Sequence, residues 1–227
     1  MLLQSISRNS IMLGIFAVTT TAIIAATSLG TREKIRDNVR HAEARALVAV
    51  IPDDRHDNAM VDDTTAVDDS ELLGLREAKN MYFARQGADI VAVILPATAR
   101  DGYTGDIDLI VGINRDGTVA GVRVLSHRET PGLGDQVDYS KSHWVDDFID
   151  KSLTNPQPSR WKVKKDKGVF DQFTGATITP RAVTKAVKQA LEYFAEHRDN
   201  WWPQNRPTAD KQQATDSATQ ARESDHG

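Results

Sequence analysis

The most uniform stretch of the chain is near its start. From Asn9 to Thr31 no side chain is charged, and the centre reads Ile11-Met12-Leu13-Gly14-Ile15-Phe16-Ala17-Val18, then Ile23-Ile24-Ala25-Ala26. About 23 helical residues at 1.5 Å each cover roughly 35 Å, enough for the ~30 Å hydrocarbon core of a bilayer. Thr19, Thr20 and Thr21 dilute the run, but a helical threonine can return its hydroxyl to a preceding carbonyl. A cleaved signal peptide is the competing reading, with Arg8 ahead of the apolar stretch. The run is long for that, and no clean small-x-small site closes it. The pattern therefore predicts a retained anchor. Arg8 and the amino terminus favour a cytoplasmic start, whereas Arg32, Lys34 and Arg36 stand just past the run. The charge rule leaves the topology open.

Helical spacing continues from Thr31 to Val50, where Ile35, Val39, Ala42, Ala46 and Val50 recur and Ile51-Pro52 ends the element. Asp53 to Ser70 is acidic and weakly apolar, with Asp53, Asp54, Asp57, Asp62, Asp63, Asp68 and Asp69. It lacks the Asp-x-Asp-x-Asp-Gly spacing of a calcium loop and reads as a solvated connection. Alternation then takes over. Asn80 to Arg85 and Ile90 to Leu95 flank Gln86-Gly87-Ala88-Asp89, a hairpin signal. Ile107 to Ile113 and Thr118 to Leu125 flank Asn114-Arg115-Asp116-Gly117, a stronger one, because Asp-Gly suits turns with positive φ. Tyr139 to Leu153 carries Trp144, Val145, Phe148 and Ile149 at helical spacing, and Arg160 to Lys165 reads as a short charged strand. The last helix has Thr179 suited to the cap and Pro180 to the first position. Its stripe is Val183, Ala186, Val187, Ala190, Leu191 and Phe194. After Trp201-Trp202-Pro203 the chain turns polar to Gly227. Hairpins with segregated helices predict an α+β fold, an antiparallel sheet with packed helices behind one N-terminal transmembrane helix. The expected divisions are 1–8, a cytoplasmic N-terminus; 9–31, the membrane helix; 32–79, a juxtamembrane helix and acidic connection; 80–200, the folded domain; and 201–227, a polar, disordered tail.

Composition narrows the chemistry. The chain has 227 residues, with 28 basic and 32 acidic side chains and a net charge of −4. Mild acidity argues against a nucleic-acid binder, which needs a basic face. There is no cysteine. Disulfides, thiolate zinc sites, cysteine-ligated iron–sulfur clusters and cysteine nucleophiles are excluded. Any redox chemistry then needs a bound organic cofactor.

The densest candidate is Asp171-Gln172-Phe173-Thr174-Gly175-Ala176-Thr177-Ile178-Thr179-Pro180. Small residues lead into a helix N-terminus, where free amides and the helix dipole favour a phosphate. Thr174, Thr177 and Thr179 add hydroxyls. From these residues alone, a turn with a threonine cap is the better explanation of the segment. Lys162, Lys164, Lys165 and Lys167 lie near it in sequence; they either offset an anion or form a solvated strand face. His127 and Glu129 are too few for a metal site. Tyr103 stacks on a ligand or fills the core, and Trp201 and Trp202 sit at an interface or tether the chain end.

Asp171-x-x-Thr174-Gly175-Ala176-Thr177 resembles the flavinylation motif of FMN-binding domains in bacterial respiratory complexes. Gly102-Tyr103-Thr104-Gly105, running into Ile110-Val111-Gly112-Ile113, is similar to that family's first sheet segment. His127-Arg128-Glu129-Thr130-Pro131-Gly132-Leu133-Gly134 is similar to its flavin-side loop. The resemblance covers roughly residues 1–197, with the motifs in the family's order. It is nearest to the RnfG family, the G subunits of Rnf electron transport complexes, called Rsx in some bacteria. The C subunit of the sodium-pumping NADH:quinone reductase shares the motif but tends to be longer. The resemblance implies FMN joined by a phosphodiester to Thr177, after a separate flavin transferase supplied with FAD. It implies that Asp171 helps the transferase or merely forms a surface turn. Thr174, Gly175, Ala176, Glu129, Thr130, Leu133 and Tyr103 become candidate flavin contacts. It further implies a single-pass protein of the bacterial inner membrane with its main domain on the periplasmic side. Such a protein transfers electrons among the other subunits of its complex and is no stand-alone enzyme. The complex couples electron flow to ion movement or keeps a redox regulator reduced. A cofactor-free, membrane-anchored assembly module is the competing class.

Overall fold

The computed structural model describes Leu2 to Trp202; Met1 and most of the polar tail, 203–227, lie outside the described residues. Helix α1 (Leu2–Val50) is one unbroken element, and Pro52 bars its continuation. Within it Ser10–Ser28 is long and apolar enough to cross a membrane. Its 19 residues cover about 28 Å. The hydroxyls of Thr19, Thr20 and Thr27 donate to carbonyls four residues back at 2.7–2.9 Å.

The helical stripe beyond the span is buried only at its end. Ile35 and Val39 stay exposed, whereas Leu47 and Val50, with Ile51 just after the helix, are buried. These three pack on one face of the sheet, against Tyr82, Ala92, Ile94 and Ile110. Two glycines make that approach possible. A Cβ on Gly112 would collide with the Val50 side chain, and one on Gly121 would lie 3.0 Å from the Val50 carbonyl oxygen. The Tyr82 hydroxyl donates to Glu43, and Arg40 pairs with Asp62 at 2.5 Å. Burial, then the bond to Glu43, raises the Tyr82 phenol above its ordinary value.

The sheet is an antiparallel meander in chain order: β1 (Thr64–Val67), β2 (Lys79–Gln86), β3 (Asp89–Ala99), β4 (Ile107–Asn114) and β5 (Val119–Ser126). Both expected hairpins form, with Gly87 and Gly117 at positive φ. Strand β3 runs past Pro96, where alternation predicted its end. β2 pairs with β3 only as far as Ile94, so the missing amide of Pro96 falls where β3 has one neighbour. The acidic stretch is more than a solvated connection. It contains β1, and Met60 within it is buried. A strand of four residues with one buried side chain, Val67, is too short to show alternation.

The opposite face of the sheet carries the larger core. Helix α2 (Ile178–Trp201) lays Ala182, Val183, Ala186, Val187, Ala190, Leu191 and Phe194 into it, together with Val93, Leu95, Leu109 and Val111. Each fully buried Val, Leu or Phe contributes about 1.5–3 kcal/mol. Trp202 fastens the end of α2, its indole N–H donating to the Ile90 carbonyl at 2.8 Å. Two expected elements are absent. Trp144–Phe148 is a short 3-10 turn, not an α-helix. Arg160 to Lys165 contains parts of two further 3-10 turns, and only Val163 bridges Phe170. Aromatic anchoring replaces regular hydrogen bonding there: Trp161, Phe148 and Phe170 pack together, and the Trp161 indole donates to the Ser152 carbonyl at 2.9 Å.

The contact of α1 with the sheet can be tested through its glycines. Gly121→Val should destabilise the detergent-solubilised chain by about 1–3 kcal/mol through overpacking. It should also expose the Val50–Pro52 junction to limited proteolysis. Unchanged thermal unfolding would contradict the close approach.

Candidate functional site

The segment from Phe173 to Thr179 is held at both ends. Upstream, Phe173 is buried and meets Trp144 edge-on, 5.1 Å between ring centres. The Trp144 indole donates to the Asp171 carbonyl at 2.9 Å. Aromatic pairs of this kind add about 0.5–1.5 kcal/mol beyond their burial, enough to fix a stretch that has little regular structure. A tight turn follows. The Ala176 amide donates to the Phe173 carbonyl at 3.2 Å, and Gly175 takes φ +79°. Any side chain at Gly175 would strain the backbone.

Downstream, α2 begins two residues earlier than the Thr179-Pro180 pattern predicts. Thr177 is the cap, Ile178 the first helical residue and Pro180 the third. Proline is tolerated there because first-turn amides have no partner within the helix. Thr179 is fully buried and is not the cap. Its hydroxyl donates to Glu129. Thr177 is half-buried, has helical dihedrals and makes no side-chain capping bond. Its hydroxyl is uncommitted to the helix it precedes.

Glu129 joins three segments. It is 4% exposed. The Thr104 amide and hydroxyl, on the loop after β3, both donate to its Oε1 at 3.1 Å. Thr179, in the first turn of α2, donates to its Oε2. The Glu129 amide donates to Nδ1 of His127 at 3.1 Å. Gly134 passes so near that a Cβ there would lie 2.6 Å from Oε2 and 2.7 Å from the Thr179 hydroxyl.

Between these segments lies a cleft of about 330 Å³, lined by Tyr103, Glu129, Thr130, Leu133, Gly134, Gly175, Ala176, Thr177, Ile178 and Thr179. Tyr103, Leu133 and Ile178 are partly exposed apolar or aromatic side chains among that lining. Among the described residues no lysine, arginine or histidine lines it, and Glu129 is its one carboxylate. A flat aromatic ligand suits the apolar lining. A phosphate suits the head of α2, where the amides of Ile178 and Thr179 lie in the first turn. The nearby lysines do not join the cleft. Lys164 instead pairs with Asp171 at 2.6 Å.

Comparison with known proteins agrees with this geometry. Residues 102–192 match the FMN-binding domain family, and residues 1–50 match the RnfG N-terminal region. The G subunit of the ion-translocating oxidoreductase complex of Shewanella loihica is 47% identical over 191 residues, covering 84% of this chain and 90% of the relative. The same subunit from Pseudomonas aeruginosa is 44% identical over 196 residues, covering 86% and 92%. That of Vibrio atlanticus is 46% identical over 196 residues, covering 86% and 93%. The chain belongs to the RnfG family.

In this RnfG-family chain the whole cleft falls inside the matched FMN-binding segment. Of the residues singled out in the sequence, Tyr103, Glu129, Thr130, Leu133, Gly175, Ala176 and Thr177 line it. Thr174 is exposed and does not. Asp171 faces a separate groove with Asp147, Lys151 and Lys164. Burial, and then the charge of Asp171, push the Asp147 carboxyl above its ordinary value. Sequence reasoning passed over Gly134, Ile178 and the clamping roles of Thr104 and Thr179. Only the close packing of three distant loops reveals them. Gly134→Ala should force Glu129 and Thr179 apart, lowering stability by about 1–3 kcal/mol in thermal unfolding. Gly132→Ala, at an open position with φ +78°, should leave the Glu129–Thr179 bond intact.

Proposed function

We propose that this chain carries FMN covalently, through a phosphodiester between the flavin phosphate and Oγ1 of Thr177, and transfers electrons within its complex. The observation that carries this is the position of Thr177. It lines the cleft at the head of α2, and its side chain makes no capping bond. Thr174, the other hydroxyl of the motif, lies outside the lining.

The residues present fit the group. Gly175 and Ala176 let a ligand approach the backbone, and the first-turn amides of Ile178 and Thr179 face an anion favourably. Tyr103, Leu133 and Ile178 provide apolar surface for a ring and exclude water from it. Thr130 and Glu129 provide polar contacts. A threonine hydroxyl is a poor nucleophile without activation, and the described lining offers no histidine or lysine as a base. Attachment therefore belongs to a separate flavin transferase. The pyrophosphate bond of FAD breaks, the FMN phosphoryl group joins Thr177 Oγ1, AMP leaves and the hydroxyl proton is released. When bound, FMN supplies one- and two-electron chemistry, and the protein supplies position and electrostatics.

We also propose that Ser10–Ser28 spans the bacterial inner membrane once, with the sheet domain on the periplasmic side. A flavin lost outside the cytoplasm is not readily replaced there, which favours a covalent tie.

After co-expression with a flavin transferase, the denatured chain should remain fluorescent in a gel. Its mass should exceed the sequence mass by FMN minus one water. Thr177→Ala should abolish both signals, whereas Thr174→Ala should retain attachment. An unmodified mass in native membranes would leave a cofactor-free assembly module as the better account. Orientation is testable because the chain has no cysteine. Ser140 is exposed, so Ser140→Cys should react with a membrane-impermeant maleimide in cells with a permeabilised outer membrane. Labelling only after lysis would place the domain in the cytoplasm.

A further inference from the structure

Glu129 is the one carboxylate in a cleft whose described lining holds no cationic side chain. Cations on the early turns of α2 and near the segment before it are committed elsewhere. Arg181 binds Asp166 at 2.7 Å, Lys185 binds Asp101 at 2.6 Å and Lys164 binds Asp171 at 2.6 Å. Among the described residues no cation forms an ion pair with Glu129. Its partners are neutral donors: the Thr104 amide and hydroxyl, and the Thr179 hydroxyl. Hydrogen bonds offset desolvation of a buried carboxylate, but they leave its charge in place. Glu129 is itself buried, so that charge is less screened than it would be in solvent.

We propose that the buried carboxylate of Glu129 lowers the reduction potential of the flavin bound in this cleft. The inference rests on the attachment reading above. Reduction adds electrons, and the more negatively charged reduced forms are disfavoured beside a fixed, uncompensated anion. Charge near the ring is one of the means by which a protein tunes this cofactor. Glu129 is thus a positioning and tuning residue. It fixes the start of α2, and so Thr177, through Thr179, and it sets the local field through its charge.

The two roles separate experimentally. The flavinylated full chain is titrated potentiometrically in detergent, following flavin absorbance. Glu129→Gln keeps the size and an acceptor oxygen but removes the charge. It should favour reduction by about tenfold or more, a positive shift of about 59 mV for a one-electron couple. Thr104→Val, at an exposed position, keeps the charge and removes a hydroxyl that partly offsets it. It should shift the potential the other way. Opposite signs support tuning by charge. Shifts of the same sign, or none in Glu129→Gln, overturn it and leave only a structural clamp. Should Glu129→Gln fail to fold, a Thr104→Val potential at or above the wild-type value overturns the proposal alone. A wild-type chain without gel fluorescence defeats the attachment reading instead, and the tuning proposal falls with it.

Discussion

The clamp at Glu129 is the interaction on which the cleft depends. A buried carboxylate costs several kcal/mol unless its oxygens are satisfied. Here the donors come from two places far apart in the chain, Thr104 after β3 and Thr179 at the start of α2. Glu129 itself follows β5. The sheet brings these three chain segments to one end, because β3 and β5 finish where β4 begins. The clamp then fixes their spacing. One local requirement follows from it. Gly134 must be a glycine because the carboxylate and the Thr179 hydroxyl occupy the space of its Cβ. Gly102 is fixed by the backbone instead, where a Cβ would lie 2.2 Å from the Gly105 carbonyl oxygen.

A second constraint acts on the far face of the sheet. Helix α1 reaches the domain without a flexible linker. It meets Asp62 through Arg40, Tyr82 through Glu43, and Gly112 and Gly121 through Val50. Between Arg40 and Val50 it crosses from the β1 side of the sheet to β5. The apolar stretch Ser10–Ser28 therefore extends from the β1 side, and the strands run across the helix axis. The acidic stretch after Pro52 serves this packing by supplying β1 and Asp62.

Much of this was legible because it rests on local rules. The long apolar run, the two hairpins and the stripe of α2 each hold one pattern over about ten or more residues, so single exceptions average out. The exceptions share one physical cause. β1, the turn at Trp144 and the segment around Trp161 are each too short for periodicity, and tertiary packing decides them. The start of α2 shows the same limit at single-residue scale. Thr179-Pro180 has the chemistry of a cap and first position. The buried demand of Glu129 draws the Thr179 hydroxyl away, so the helix extends back to Ile178. The Asp171–Thr177 segment was visible as a resemblance. That Thr174 lies outside the cleft and Thr177 within it was not, because Gly175 turns the chain between them.

The cleft also makes sense of a covalent tie on physical grounds. A flavin phosphate held without a bond is usually met by arginine or lysine, whose charge-assisted hydrogen bonds are about twice as strong as neutral ones. The described lining has neither, and it has Glu129. Its anion-attracting feature is the head of α2, worth about 0.3–1 kcal/mol for a surface charge. That is too little to retain a dissociable anion at low concentration, where nanomolar binding needs about 12 kcal/mol. The proposed phosphodiester at Thr177 would remove the need for that affinity. With that bond, the cleft would keep an uncompensated carboxylate without loss of the cofactor, since retention would not depend on the charge balance of its walls.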